Sequence, residues 1–230
     1  MKLSIVIPCY NEQNTIEELI SKIQEIKDIE KEIIIVDDSS TDNSKIIIEK
    51  LIKNFSNIKH LSHQRNMGKG KSLQTGFKEV TGDIVLIQDA DLEYDPKDYS
   101  KLLAPFINTD ADIVYGSRFL GGSYVRLHFF WHFLANKILT LITNIVTNLN
   151  MTDMETGYKV FKKSVIQSIE LKEQSFGIEP EITVKLAKKN FVFYEVPISY
   201  RGRSYKDGKK ITLKDAFIAI YCIFKYRFFN

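Results

Sequence analysis

The stretch Asp83-Ile84-Val85-Leu86-Ile87-Gln88-Asp89-Ala90-Asp91-Leu92-Glu93 joins a short apolar run to three closely spaced carboxylates. Residues 83–87 follow a glycine and include β-branched side chains, so they predict an interior strand. Ligands of an open α/β sheet bind beyond the carboxyl ends of its strands, so Asp89 and Asp91 are expected to face a crevice. Carboxylate oxygens suit Mg²⁺ or Mn²⁺, ions that usually bind through one or two carboxylates plus substrate phosphates.

The sequence on both sides of this strand alternates between strand-like and helix-like patterns. Further strands are predicted at residues 3–7, 32–36, 58–61 and 112–115, with amphipathic helical patterns between them, one of them near residues 72–79. A β-α-β-α order is typical of a mostly parallel, Rossmann-like sheet with helices on both faces. We therefore predict an α/β fold, and a length of 230 residues with 44% hydrophobic content favours a single domain.

Two later segments, 127–149 and 212–229, are rich in aromatic and aliphatic residues. In the first, polar residues recur every four positions: His128, His132, Asn136, Thr140, Asn144 and Asn148. This spacing predicts an amphipathic helix and argues against a membrane span. The two histidines are spaced like zinc ligands, but without a neighbouring glutamate and a third ligand an interfacial or capping role is favoured. The second segment places lysines and an arginine around an apolar run, so either helix could lie in the core or in a bilayer interface.

Charge is distributed unevenly along the chain. The net charge is +3, but residues 200–230 carry eight Lys or Arg against two Asp, so the first 199 residues are net negative. A basic segment can bind nucleic acid, an anionic membrane surface or phosphate groups, and an acidic crevice argues against nucleic acid.

The two cysteines, Cys9 and Cys222, are far apart and predict a reduced compartment. The short apolar run at residues 3–7 does not resemble a signal peptide, so export is not expected.

Three further motifs follow predicted strands: Pro8-Cys9-Tyr10-Asn11-Glu12, Val36-Asp37-Asp38-Ser39-Ser40-Thr41-Asp42 and Arg65-Asn66-Met67-Gly68-Lys69-Gly70-Lys71. In the first, Tyr10 can stack on a base and Glu12 can accept hydrogen bonds, although a capping turn would use the same residue types. In the second, at least one carboxylate of the Asp37-Asp38 pair should face the crevice, where it would suit ribose hydroxyls. The third offers N–H groups and lysines to a phosphate, but it lacks the P-loop pattern and could be a solvated basic turn.

In chain order, these three motifs and Asp89-Ala90-Asp91 resemble the family-2 inverting glycosyltransferases of the GT-A fold. More narrowly, the chain resembles the polyprenyl-phosphate (dolichyl-phosphate) hexose synthases. The similarity covers nearly the whole chain and extends through Gly116-Ser117-Arg118-Phe119 and residues 152–159 and 195–203. It implies one GT-A domain over residues 1–230, with a nucleotide-sugar-binding half at 1–118 and an acceptor- and membrane-facing half at 119–230. C-terminal amphipathic helices belong to the second half.

The resemblance also implies roles for individual residues. The nucleotide sugar would be held by Pro8, Tyr10, Glu12, Val36, Asp38, Lys71, Asp89 and Ala90. Mg²⁺ or Mn²⁺ would bind Asp89 and Asp91, with Glu93 as a further ligand at a position where many relatives carry Gln. The catalytic residues would be Asp91, Arg118, Asp153 and Glu155. The donor and acceptor phosphates would be bound by Arg118, Arg201, Arg203 and Lys209.

The implied reaction moves a hexose, mannose ahead of glucose, from GDP-mannose or UDP-glucose to a polyprenyl phosphate at the cytoplasmic face of the membrane. A phosphate acceptor is already largely ionised near neutral pH and needs little help from a base. A saccharide hydroxyl acceptor is the alternative, and it would require Asp153 or Glu155 as general base. A nucleotidyltransferase also needs paired carboxylates but usually has a glycine-rich activating loop. A non-catalytic membrane- or nucleic-acid-binding module would explain the basic tail but leave Asp89 and Asp91 unexplained.

Overall fold

The computed structural model describes residues 1–121, 129–202 and 213–229. The strands in these ranges are β1 (Leu3–Cys9), β2 (Lys31–Asp37), β3 (Ile58–Ser62), β4 (Ile84–Ile87), β5 (Ile113–Ser117), β6 (Lys159–Lys162) and β7 (Phe193–Pro197). The α-helices are α1 (Ile16–Glu25), α2 (Ser44–Asn54), α3 (Lys69–Phe77), α4 (Tyr99–Asn108), α5 (Phe130–Thr147), α6 (Lys163–Gln167), α7 (Ile178–Ala187) and α8 (Leu213–Phe228). The five predicted strands are all present.

The seven strands form one sheet in the order β3-β2-β1-β4-β6-β5-β7. Strands β1 to β4 are mutually parallel, and β7 is parallel to β5. Strand β6 is antiparallel to both of its neighbours. The mostly parallel α/β sheet is therefore confirmed, with one antiparallel strand that the sequence patterns did not predict.

The order of strands creates a crevice at the end of β1. This strand pairs with β2 on one side and with β4 on the other, so the chain reverses its direction of winding at this point. Such a switch point opens a crevice outside the carboxyl ends of the two strands. The residues after β1 and β4, which include Tyr10 and Asp89, are thereby brought to the same crevice.

Successive side chains of a strand point to opposite faces of the sheet, so buried strands make both faces apolar. Helices cover both of these faces. Ile5 and Ile7 belong to the core that includes side chains of α1, α2 and α4, whereas Val6 belongs to the core on the other face, with side chains of α3, α7 and α8. The inner side of α8 belongs to this second core, where Ile223 is fully buried. Cys9 and Cys222 are buried free cysteines that belong to different cores.

Helix α3 begins earlier than the sequence predicted. Its first residue is Lys69 instead of Ser72, and Gly68 precedes it with a φ of 91°. Gly68 also approaches another segment closely, since a Cβ atom there would lie 2.4 Å from the carbonyl oxygen of Gln174. Only glycine combines this left-handed φ with so close a contact. Three of the seven residues of the basic loop therefore belong to the helix.

The predicted polar stripe of α5 faces the protein interior. Asn136 and Thr140 are both buried. The side-chain amide of Asn136 donates to Asp153 Oδ1 at 3.1 Å, and the backbone N–H of Met154 donates to Thr140 Oγ1 at 3.1 Å. The helix thus uses its polar side chains to hold the segment around residue 153.

The outer sides of α5 and α8 expose large apolar side chains. Trp131 and Ile145 of α5 are 73% and 72% exposed. The other large apolar side chains that these two helices expose include Phe130, Leu141, Phe217, Tyr221, Phe224 and Phe228. An ordinary surface helix turns its apolar stripe inward, so α5 has the reverse arrangement, and such patches mark interaction sites. No helix within the described ranges combines the length and the apolar composition needed to cross a bilayer.

Candidate active site

A cavity of about 820 Å³ lies beyond the carboxyl ends of β1 and β4. Ten of the residues predicted from the sequence line it: Pro8, Tyr10, Glu12, Asp38, Asp89, Ala90, Asp91, Glu93, Arg118 and Glu155. They come from strand ends and loops spread over more than 140 positions of the chain. The sheet topology therefore assembles most of the predicted site.

Other predicted residues lie elsewhere. The Val36 side chain is fully buried between β2 and α3, and Lys71 is not among the residues that line the cavity. Arg201 is exposed, but its backbone N–H donates to the Glu93 carbonyl at 2.8 Å, which places it beside the Asp89–Glu93 turn. Arg203 and Lys209, together with His128, fall outside the described residues.

Three non-glycine residues in left-handed conformations shape the turns around the cavity. Asn11 follows β1, Ser39 follows β2 and Leu92 lies in the turn after β4, with φ values of 57°, 62° and 60°. The Ser40 hydroxyl accepts the N–H of Asn11 at 3.0 Å and so links the first two turns. Backbone outliers of this kind cluster at functional sites, where the surrounding structure holds them in place.

The Asp38 carboxylate has internal partners. It accepts hydrogen bonds from the backbone N–H groups of Met67 and Gly68 at 2.9 and 2.7 Å, and His63 Nδ1 lies 2.6 Å from it. The sequence predicted that this carboxylate would hold the nucleoside. These hydrogen bonds fix the loop that leads into α3, and Asp38 also lines the cavity, so its contact with the nucleoside stays a prediction.

Lys69, which the sequence offered only as one of the lysines of the basic loop, connects two carboxylates of the site. Its ammonium lies 2.8 Å from Asp89 Oδ1 and 2.9 Å from Glu179 Oε1. Burial alone would lower the pKa of Lys69, but the two carboxylates outweigh it and hold that pKa well above its usual value. The lysine therefore stays charged and ties the end of β4 to the first turn of α7.

The rest of the acidic turn is also held by hydrogen bonds. The Glu93 backbone N–H donates to Asp91 Oδ1 at 3.1 Å, and the Tyr200 hydroxyl donates to Glu93 Oε2 at 2.6 Å. Asp89, Asp91 and Glu93 all line the cavity. Among the described residues, however, no three His, Cys, Asp or Glu side chains are grouped closely enough to hold a metal ion by themselves.

Arg118 lines the cavity and forms an ion pair with Asp153, which is buried behind it. The Arg118 Nε and Nη2 atoms donate to the two oxygens of Asp153, both at 2.7 Å, and the Arg118 backbone N–H adds a third bond at 3.0 Å. Burial would raise the pKa of Asp153, but Arg118 holds it below its usual value. Asp153 is fully buried and does not line the cavity, so a substrate cannot reach its carboxylate. Its contacts position Arg118, and they do not suit a base.

Glu155 and Glu179 contribute two further carboxylates to the cavity wall. Burial and the nearby Glu179 raise the pKa of Glu155 to about 8. Within the described part of the chain, Glu155 Oε1 and Glu179 Oε2 are buried and have no hydrogen-bond partner. Glu179 was absent from the predicted site, although the Phe176-Gly177-Ile178-Glu179-Pro180-Glu181 turn was a visible signal.

Comparisons with known proteins identify the family of this chain. Residues 4–170 match the glycosyl transferase family 2 domain. The chain belongs to this family. The resemblance inferred from the four sequence motifs is thereby confirmed.

Curated relatives of this glycosyltransferase include two enzymes that act on dolichyl phosphate by their names. A dolichol-phosphate mannosyltransferase of Pyrococcus furiosus is 32% identical over 92% of this chain, which spans only 61% of that protein. A UDP-N-acetylglucosamine–dolichyl-phosphate N-acetylglucosaminyltransferase of Methanococcus voltae is 28% identical, with 84% of this chain and 83% of that protein covered.

Solved structures of another sugar-transferring enzyme have the same fold. Glucosyl-3-phosphoglycerate synthase from Mycobacterium tuberculosis, crystallised with Mn²⁺, UDP and phosphoglyceric acid, superposes with a TM-score of 0.76. It is 18% identical and covers 100% of this chain and 79% of its own. A complex of the same enzyme with Mg²⁺ and UDP gives a TM-score of 0.74 at 19% identity, over 98% of this chain and 79% of its own. At these identities the likeness shows the fold, and the predicted GT-A architecture is confirmed.

Gly157 of this glycosyltransferase offers a first test of the site. A Cβ atom at Gly157 would lie 2.3 Å from Asp89 Oδ2 and 2.9 Å from the Tyr94 ring. We expect Gly157→Ala to displace the Asp89 carboxylate and to reduce sugar transfer by about 10-fold or more, since small misplacements at a reacting centre are costly. Activity is compared with the urea midpoint of unfolding. A fully active Gly157→Ala protein would show that the position of Asp89 does not matter.

Proposed function

We propose that this chain transfers a hexose from a nucleotide diphosphate sugar to a polyprenyl phosphate, with GDP-mannose ahead of UDP-glucose as donor. One observation carries the choice of acceptor. The cavity that contains Asp89, Asp91 and Arg118 is also lined by Phe129 and Trp131, at the start of the helix that exposes its apolar side. A lipid phosphate needs both features, a cation for its headgroup and an apolar surface for its chain.

The donor would bind at the crevice beyond β1 and β4, with its diphosphate next to Asp89 and Asp91. These carboxylates suit Mg²⁺ or Mn²⁺, and an ion held by two carboxylates and the diphosphate needs no third protein ligand. Such an ion supplies charge stabilisation of the leaving diphosphate.

Arg118 is the described cation best placed for the acceptor. Asp153 uses two of its five N–H donors and fixes the plane of the guanidinium, while the side chain still borders the cavity. An oxygen of the acceptor phosphate would attack the anomeric carbon as the bond from that carbon to the nucleoside diphosphate breaks, which inverts the configuration. The guanidinium offsets repulsion between the two anions without taking a proton.

The alternative reaction, transfer to a saccharide hydroxyl, now depends on Glu155 alone as the base. Burial raises the pKa of Glu155, so its ionised form is a stronger base than an ordinary carboxylate, and this direction favours the alternative. The two reactions respond differently to Glu155→Gln. Loss of a base would abolish transfer to a hydroxyl but would spare the deprotonation-independent attack by a phosphate.

Transfer is tested by incubating the protein with labelled GDP-mannose, UDP-glucose or UDP-N-acetylglucosamine, Mg²⁺ or Mn²⁺, and vesicles that contain dolichyl phosphate. Label that moves into the lipid fraction as a product cleaved by mild acid supports the proposal. Free saccharides serve as competing acceptors in the same reactions. Transfer to the saccharides alone would reject the lipid acceptor and favour the hydroxyl reaction.

We further propose that the protein docks peripherally on the cytoplasmic, anionic face of the membrane through the exposed apolar side of α5 and α8. Residues 200–230 add a net charge of +6 to this half of the chain, which favours an anionic surface. Deleting α8 is a poor test, because its inner side includes the buried residues Ala219, Cys222, Ile223 and Tyr226. Substitutions on the outer side leave the core unchanged.

Ile145→Asp should weaken binding to anionic vesicles by about 10-fold or more, because burying an isoleucine contributes roughly 1.5–3 kcal/mol. Ile107→Asp on α4 is the matched control, since Ile107 is 68% exposed and belongs to a different helix. Vesicle co-sedimentation measures binding, and transfer is assayed in parallel. Equal effects of the two substitutions would contradict docking through α5.

A further inference from the structure

We propose that Glu179 is a hexose-binding residue of this enzyme, whose Oε2 atom accepts a hydrogen bond from a hydroxyl group of the donor sugar. The assignment rests on the proposed function and adds a specificity-determining residue to it. Glu179 lies in the first turn of α7 and borders the same cavity as Asp89. Its side chain is only 9% exposed.

The two oxygens of Glu179 are used differently. Oε1 pairs with the Lys69 ammonium at 2.9 Å, whereas Oε2 is buried without a partner among the described residues. A buried polar atom without a partner is costly, and native proteins have few of them. A carboxylate can only accept hydrogen bonds, so the missing partner must be a donor. Sugar hydroxyls are donors of this kind.

The position of Glu179 matches the place of the hexose relative to the proposed diphosphate site. A single ammonium, that of Lys69, bridges Asp89 Oδ1 at 2.8 Å and Glu179 Oε1 at 2.9 Å. In a nucleotide sugar the hexose is bonded directly to the diphosphate. The Glu179 carboxylate lies on the other side of the Lys69 ammonium from Asp89. A hexose whose diphosphate lies beside Asp89 would therefore reach it.

The surrounding structure fixes Glu179 before any ligand binds. The Thr183 hydroxyl donates to the Glu179 carbonyl at 2.8 Å, and the Tyr115 hydroxyl lies 2.9 Å from the Thr183 hydroxyl. These bonds anchor the first turn of α7 to β5, while Lys69 fixes the side chain from α3. A rigid acceptor of this kind rejects an analogue that lacks the matching hydroxyl, because its oxygen would stay unpaired.

The test measures binding by isothermal titration calorimetry, with GDP-mannose and UDP-glucose compared with GDP and UDP. Glu179→Gln keeps the shape and one oxygen for Lys69 but replaces the other oxygen by a donor. We expect it to weaken binding of the preferred sugar nucleotide by about 10- to 100-fold, the contribution of a charged hydrogen bond, and binding of the nucleoside diphosphate by less than about 3-fold. Glu170→Gln, at an exposed position, is the control.

Single-deoxy analogues of the hexose give an independent readout. One deoxy position should reduce affinity in the wild-type protein by a similar factor but have almost no further effect in Glu179→Gln, as in a double-mutant cycle. Glu179→Asp, whose shorter carboxylate is withdrawn from the sugar, should lose the same discrimination and serves if Glu179→Gln folds poorly.

Equal losses for sugar nucleotide and nucleoside diphosphate would overturn the assignment, because Glu179 would then act only through Lys69 and Asp89. Unchanged binding in both Glu179 variants would overturn it as well. Either result leaves the proposed function intact if the wild-type protein binds the donors. A wild-type protein that binds none of the sugar nucleotides would overturn the proposed function together with this assignment.

Discussion

Asp91→Asn should reduce sugar transfer by about 10²- to 10³-fold and leave the fold intact, a loss typical of removing one group that stabilises transition-state charge. The substitution removes one hard oxygen ligand of the proposed Mg²⁺ or Mn²⁺ site and so weakens the stabilisation of the leaving diphosphate. Asp91 is preferred to Asp89 for this test. Asp89→Asn would also leave the buried Lys69 ammonium with less neutralising charge, which mixes an effect on stability with one on activity.

Activity is measured at saturating donor over a titration of Mn²⁺, and stability from the urea midpoint. A ligand role predicts that part of the lost rate returns at high Mn²⁺. The control is Asp28→Asn, which removes the same charge at an exposed position. Near-normal turnover of Asp91→Asn at low Mn²⁺ would end the assignment of a metal to this turn.

The sequence predicted the parallel half of the sheet well, for a physical reason. Strands β1, β2 and β4 are buried on both faces, so they appear as short β-branched runs, and each ends directly at a polar motif. Parallel strands bring those ends to one edge. The motifs that follow these strands in the sequence are therefore the ones that meet at the cavity, and they could be predicted together.

Strand β6 was not predicted because its sequence does not show its burial. It has four residues and carries lysines at both ends, and Lys159 is fully buried. That ammonium donates to the Met154 carbonyl at 2.8 Å and lies 4.6 Å from the centroid of the Tyr115 ring. A lysine compensated by buried carbonyl groups and an aromatic ring looks the same in the sequence as a lysine on the surface.

The orientation of α5 could not be predicted from the sequence, for a related reason. A spacing of four residues shows that a helix has a polar and an apolar side, but not which side faces the protein. Asn136 points inward because Asp153 needs hydrogen-bond donors in addition to Arg118. The ion pair joins residues 35 positions apart, and no local pattern shows it.

Arg118→Met should abolish transfer to polyprenyl phosphate and also lower the free energy of unfolding by about 3–5 kcal/mol, the usual cost of leaving a buried charge without its partner. The guanidinium is the proposed phosphate ligand, and it is also the main compensation of the fully buried Asp153. Urea denaturation at pH 7 measures the second effect. A stable but inactive Arg118→Met protein would contradict the energetic part of this prediction.

The double variant Arg118→Met/Asp153→Asn separates the two roles. Removing both charges leaves no uncompensated ion, so stability should return to within about 1–2 kcal/mol of the wild type, since neutral replacements of a buried pair are often tolerated. Transfer should stay lost, because no guanidinium faces the acceptor. Recovery of transfer in the double variant would show that Arg118 acts only through the fold.

The pH dependence of stability also separates the effect of the buried charge from the loss of activity, and the direction of the change can be predicted. In the wild type the pKa of Asp153 is lowered, so its contribution is present above the unfolded-state pKa of about 4 and is lost as the pH falls through the folded-state value. Without Arg118, burial raises that pKa, and the single variant should lose stability as the pH rises above about 4. The destabilisation by Arg118→Met should therefore be small at pH 4 and large at pH 7. A difference that does not change with pH would mean that the lost stability comes from packing of the arginine side chain and not from the buried charge of Asp153.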